Sequence, residues 1–223
     1  MMSFDLNSDS VRALNQTLHD SPTGKLSVTN PGGRHCIACG MDADVEVSIE
    51  GHVGYYCAGM NKIAQVTIAG NAGPGVAENI MSGSVRVKGN ASQYAGASGQ
   101  GGTLVIEGDA SARCGISMKG VDIVVAGSVG HMSAFMAQKG RLVICGDAGD
   151  FLGDSIYEAC IYVRGKVGAL GADCIEKEMT TEHVEGLKQL LASTGIETDA
   201  HEFRRYGSAR KLYNFNIDHA DDY

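Results

Sequence analysis

No stretch of 18 apolar residues occurs in this chain, which argues against a membrane-spanning helix. The N-terminus lacks a basic region followed by an apolar one, so no secretory leader is expected. Basic charge is not in excess either. Eighteen Lys and Arg stand against 26 Asp and Glu, a formal net charge of −8. That balance disfavours a nucleic-acid backbone as partner. The seven cysteines (Cys36, Cys39, Cys57, Cys114, Cys145, Cys160 and Cys174) form no paired framework. An odd, scattered set points to reduced thiols and a cytoplasmic location. What the chain has in abundance is glycine, 31 of 223 residues, about twice the usual share. With 43% apolar residues it is nevertheless not a disordered glycine-rich segment.

The glycines keep a period. Gly51, Gly70, Gly89, Gly108, Gly127, Gly146 and Gly165 recur every 19 residues, each closing a short aliphatic run. Four residues before them stand Val47, Val66, Val85, Leu104, Ile123, Leu142 and Ile161. Two before stand Ile49, Ile68, Val87, Ile106, Val125, Ile144 and Val163. Alternation with period two makes each run a strand with these two columns facing inward. Small residues two, three and seven positions after the glycine mark tight corners close to the axis. One strand per 19 residues leaves little room for a crossover helix. The expected fold is therefore all-β: a right-handed, single-stranded parallel β-helix of about seven coils with short helical caps at both ends. At about 4.8 Å per rung such a prism is roughly 30 Å tall. After the glycines come Asn71, Asn90, Asp109, Ser128 and Asp147, expected to form a side-chain ladder along one edge, with His52 and Lys166 breaking it at the ends.

Three regions follow. Residues 1–44 are expected to cap the first coil, with Asp9 or Ser10 starting a short helix that runs to about His19. Residues 45–175 are the solenoid. Residues 176–223 hold a helix that starts at Thr180 or Thr181, turns Leu187, Leu190 and Leu191 inward and ends at Gly195, followed by a partner-docking tail.

Little in the sequence suggests chemistry. Cys36 and Cys39 form a C-x-x-C, read as incidental thiols, with a redox pair or half a zinc site as the alternative. Cys57 and Cys114 share a column three coils apart, too far to share a metal. No catalytic, cofactor-binding or metal-binding residue is assigned. Two features suit interfaces. Val105, Val124, Val143 and Tyr162 give the outward face of the later coils an apolar stripe, covered either by the tail helix or by another subunit. Arg204, Arg205, Tyr206, Arg210 and Tyr213 form an aromatic and basic cluster suited to an acidic partner surface.

The corner Gly89-Asn90-Ala91-Ser92-Gln93-Tyr94-Ala95-Gly96 and its counterpart Gly146-Asp147-Ala148-Gly149-Asp150-Phe151-Leu152-Gly153 resemble the GXGXG β-helix domain of glutamate synthase large subunits, over about residues 40–175. The flanks Gly51–Met60 and Phe203–Leu212 look like the stand-alone β-helix subunit of N-methylglutamate synthase. The resemblance implies a non-catalytic structural subunit of a hetero-oligomer. Its partners would be an amidotransferase-like subunit and a subunit carrying FMN and an iron–sulfur cluster. The complex would make N-methylglutamate and ammonia from glutamate and methylamine, with the β-helix bridging the partners and walling a path for the small amine. An amidotransferase of that class needs an N-terminal cysteine where Met2 stands here, and 223 residues leave no room for an eightfold barrel. Two alternatives remain: a scaffold like the related β-helix subunit of formylmethanofuran dehydrogenase, and an independent carbohydrate-active β-helix.

Overall fold

A computed structural model describes residues 2–20 and 23–212. Their strands make one sheet. In chain order these are β1 (Met2–Asp5), β2 (Gly24–Thr29), β3 (Val45–Glu50), β4 (Gln65–Ile68), β5 (Ser84–Val87), β6 (Thr103–Ile106), β7 (Lys119–Val125), β8 (Lys139–Ile144), β9 (Cys160–Val163), β10 (Cys174–Lys177) and β11 (Arg204–Ser208). The helices are α1 (Val11–His19) and α2 (Thr181–Thr194). Strands β3 to β9 are the seven glycine-closed runs. They stack in parallel and in register, so that Val47, Val66, Val85, Leu104, Ile123, Leu142 and Ile161 follow one another along the ladder. The fold is thus the parallel β-solenoid that the period implies. Both inward columns are buried throughout.

The parallel ladder begins before residue 45. β1 pairs with β2 and β2 with β3, both in parallel. The 19-residue spacing does not reveal them, because β1 and β2 are 24 residues apart in register (Met2 to Leu26), with α1 between, and β2 and β3 are 21 apart (Leu26 to Val47). That helix starts where Ser10 Oγ accepts the Ala13 N–H at 3.1 Å, and it buries Leu14 and Leu18. At the other end the stack is closed by reversal. β11 inserts between β9 and β10 and runs antiparallel to both.

The glycine column has a steric origin. Of the seven, Gly51 alone has a positive φ, of 134°. The others are tight because successive coils touch there. The N–H of each glycine from Gly89 to Gly165 donates to the carbonyl of the previous one, at 2.8–3.2 Å. A Cβ on Gly108 would strike Asn90 Oδ1 and come within 2.9 Å of the Gly89 carbonyl oxygen. The obstructing atoms belong to the polar ladder. Asn71 Oδ1 accepts the Asn90 N–H at 2.9 Å, Asn90 Oδ1 that of Asp109 at 2.8 Å, and Asp109 Oδ1 that of Ser128 at 2.7 Å. Ser128 Oγ and Asp147 Oδ1 continue to the N–H groups of Asp147 and Lys166. His52 does not break this ladder, contrary to expectation. Its Nδ1 accepts the Asn71 N–H at 2.9 Å and so supplies the first step, because an unprotonated ring nitrogen serves as well as an amide oxygen. Lys166 receives the last step through its backbone N–H, which any side chain would allow.

The left-handed conformations lie elsewhere. Five, seven and nine residues after each glycine from Gly51 to Gly146 the backbone has positive φ, as at Tyr94, Gly96 and Ser98, or Met132, Ala134 and Met136. Most of these residues are not glycine, and each such conformation costs about 1–2 kcal/mol. It is offset by hydrogen bonds that alternate between the two neighbouring coils. Met132 and Met136 donate forward to Asp150 and Asp154, while Ala134 donates back to Cys114, all at 2.8–2.9 Å. Inside, one core cluster runs from Leu6 to Tyr206.

Two glycine substitutions separate these effects. Gly108→Ala should cost about 1–3 kcal/mol by overpacking. Gly186→Ala lies inside α2, where an added Cβ meets nothing nearer than Arg141 Nη1 at 3.9 Å, and should stabilise by about 0.5–1 kcal/mol. Urea denaturation of both variants measures the contrast.

Candidate functional site

Two surfaces and one polar corner are the places where this solenoid can act. The first surface is the outward side of the sheet. Val124, Val143, Cys145 and Tyr162 are covered by Leu187, Leu190 and Leu191 of α2, together with Ala200 and Phe203. The apolar stripe is therefore closed from within the chain and is not a free face. Val105, in the same column, is also buried. The physical reason is capping. Thr180 Oγ1 receives the His183 N–H, and Gly195 ends α2 in the left-handed conformation. The leucines so placed match the stripe. Charged side chains on the sheet hold the helix backbone: Arg86 Nη2 donates to the Thr194 carbonyl at 2.5 Å, and Arg141 Nη1 to that of Gly186 at 3.1 Å. Arg141 is itself fixed by Asp122, whose hydrogen bond is the main cause holding the guanidinium above its usual value.

The tail cluster is likewise committed internally. Tyr206 is buried at 2% exposure, and Arg205 Nε donates to the Glu178 carbonyl. Arg204 reaches the Gly165 carbonyl and lies 3.7 Å from Glu176, and Arg210 pairs with Glu158 at 2.7 Å. Tyr206 is thus part of the core, whereas the Arg204 and Arg210 side chains stay exposed while pairing with acids of this chain. Tyr213 lies outside the described residues.

The second surface was missed in the sequence. Columns four, five and nine residues after the glycines carry Tyr55, Tyr56, Met60, Tyr94, Met132, Met136 and Phe151. Tyr55 is 47% exposed, Met60 42%, Met136 39% and Phe151 51%. The columns are neighbours in space: Asn79 Nδ2 donates to the Tyr56 hydroxyl at 3.3 Å, and Arg113 points Nη2 at Met132 Sδ. Between the two apolar ends lie Tyr94, which is half-buried, and Ser98, Arg113 and Ser117. The result is two exposed patches, about 20–25 Å apart at the strand spacing, with a mainly polar waist. The signal in sequence was the recurrence of Met and aromatics in these columns, interrupted by Gly75 and Arg113.

The polar corner gathers His35, Cys36, Cys39 and Glu78 beside Tyr55 and Tyr56. The Tyr55 and Tyr56 rings lie 5.4 Å apart. Burial raises the Glu78 carboxyl above its ordinary value. Burial pushes the Cys39 thiol up to about 12, with Cys36 beside it adding to the rise, and it raises the fully buried Cys57 as well. Among the described residues no three His, Cys, Asp or Glu side chains meet to hold a metal ion. Nor is any described helix long and apolar enough to cross a membrane. Cys114 is buried alone in the core and pushed up to about 12.

Over 225 aligned residues the chain is 58% identical to Protein GlxC of Rhizobium meliloti (strain 1021), covering 99% of each. The chain belongs to the GlxC family. No family model and no solved structure matches it. The GlxC-family match thus spans nearly the whole of both chains and is not confined to the repeat segment.

The covering helix of this GlxC-family chain carries a pH dependence. The Tyr162 hydroxyl and His183 Nδ1 are 3.0 Å apart. His183 is held below its ordinary value of 6.5, first by burial and then by Arg205. The folded state therefore favours the neutral ring. Its contribution is complete above the ordinary value and is lost as pH falls through the lower folded one. Amide exchange in α2, corrected for intrinsic rate, should lose protection between about pH 7 and 5, and His183→Gln should flatten that loss.

Proposed function

We propose that the chain is a structural subunit of a glutamate-synthase-like complex, with N-methylglutamate synthase as the specific assembly. The motif resemblance supports the first statement and the flanking segments the second. In this reading the solenoid bridges an amidotransferase-like subunit and a subunit that carries FMN and the iron–sulfur cluster. The observation that carries it is the pair of apolar patches at opposite ends of one face. A rigid column with two separate hydrophobic patches suits two partners held at a fixed distance. Its stiffness follows from backbone ladders that leave no coil free to move alone.

The interior is filled by side chains such as Leu104, Ile106 and Ile123, all fully buried. A path for ammonia or methylamine therefore does not run along the axis of the column. The solenoid can wall such a path only with its outer surface, and the waist between the patches is the polar stretch available for that. Closure of the wall by the partners would keep a reactive amine from escaping to water.

Charge placed in either patch tests the bridge. Met60→Asp should release one partner and Phe151→Asp the other, each weakening its own contact by at least about 2 kcal/mol, roughly thirtyfold. Both residues are exposed, so the melting temperature should not change. Affinity capture of each variant from its native host, with mass spectrometry of what remains bound, reads the outcome. Unchanged recovery of both partners with both variants would remove the bridging reading. Capture of partners without flavin would remove the glutamate-synthase-like one.

A further inference from the structure

We propose that Cys36 and Cys39 form a reversible disulfide across a single turn, taking a low-molecular-weight disulfide such as oxidised glutathione as oxidant. Ile37 and Ala38 make a turn whose flanking residues are the two cysteines. The Cα atoms that flank such a turn lie within about 7 Å. A disulfide needs about 4.4–6.8 Å. The turn is held in place from outside. Asn15 of α1 donates through Nδ2 to the Cys36 carbonyl at 2.7 Å and accepts the Ala38 N–H at 2.9 Å. His19 Nε2 lies 2.8 Å from the Cys39 carbonyl. Cys36 and Ala38 both adopt positive φ, of 57° and 55°. The backbone of the pair is thus preset, and closure costs little further ordering.

The two thiols differ in the way a sequential exchange requires. Cys36 is exposed and Cys39 is partly covered, its Sγ donating to the Tyr56 carbonyl at 2.8 Å. Burial keeps Cys39 protonated, so Cys36 is the thiol that meets the oxidant. In the first step Cys36 sulfur bonds to one sulfur of oxidised glutathione, the S–S bond breaks, and one reduced glutathione leaves with the thiol proton. In the second, Cys39 sulfur displaces glutathione from Cys36, and the Cys39 proton leaves with that second thiol. Two protein thiols are oxidised and one glutathione disulfide is reduced to two thiols. Closure withdraws Cys39 from the Tyr56 carbonyl, so its local consequence falls on the Tyr55–Tyr56 corner. None of this depends on which complex the chain joins.

The test uses the full chain in glutathione buffers of graded ratio, quenched in acid and alkylated. The segment between Arg34 and Lys62 holds Cys57 as well, so cleavage at the acidic residues from Asp42 to Glu50 is needed to separate it. The expected result is loss of two of the seven alkylatable thiols, a disulfide mapped to Cys36 and Cys39, and recovery in reduced glutathione. Cys39→Ser should stop at glutathione on Cys36, and Cys36→Ser should take up none at this turn. Wild-type protein that keeps glutathione on Cys36, fails to react, or closes onto Cys57 would overturn the assignment. The wild-type mapping decides the matter even if a variant fails to fold.

Discussion

The structure depends on how closely one coil can approach the next at the glycine column. There the backbone of each turn rests on the backbone of the previous one, with an Asn, Asp or Ser oxygen filling the remaining space. A side chain at that column would push the coils apart at one edge while the sheet holds them near 4.8 Å at the other. Strand register, inward columns and corner positions all inherit their 19-residue period from this contact. It also explains why the period does not slip: an extra residue in one coil would leave its glycine unable to meet the next.

Because the glycines are used for approach, the turning of the chain falls to other residues. The left-handed positions at the far corner are filled by Tyr, Met, Arg, Ser and Phe more often than by glycine. Their backbones are fixed by hydrogen bonds to both neighbours, so their side chains are free to vary in chemistry. A surface that is sterically demanding in its main chain and permissive in its side chains is a natural place for recognition. The buried columns show the reverse pattern, with small or aliphatic residues only.

The columns made the solenoid legible in sequence, since seven aligned units show which positions face inward. The helix α2 was legible too, from Thr180, its leucines and Gly195. What lay beyond reach were relations the period does not encode. β1 and β2 join the ladder across spacings that depart from the 19 residues of the coil, the first of them spanning α1. β11 joins from about 40 residues further along the chain, opposite in direction, and its arginines look like a free basic cluster until their carbonyl and carboxylate partners are seen. For the stripe at Val124, Val143 and Tyr162, sequence alone balanced an internal cover against a partner. Burial decided it, because α2 has just enough apolar face to close those coils.

That closure shapes what the remaining surface can do. A solenoid sheet presents an open outward face, and here its later half is sealed by α2 while its earlier half turns polar at Ser48 and Thr67. Association through the sheet would have to displace a helix fixed by Arg86 and Arg141. The left-handed corner needs no such rearrangement, since Tyr55, Met60, Met136 and Phe151 already stand in solvent. Burying an exposed Met or Phe side chain is worth roughly 1.5–3 kcal/mol. On a rigid backbone the ordering cost of binding falls on the side chains alone, about 0.5–1.5 kcal/mol for each one immobilised. The same ladders that tie each coil to both neighbours therefore favour assembly at this corner over the sheet.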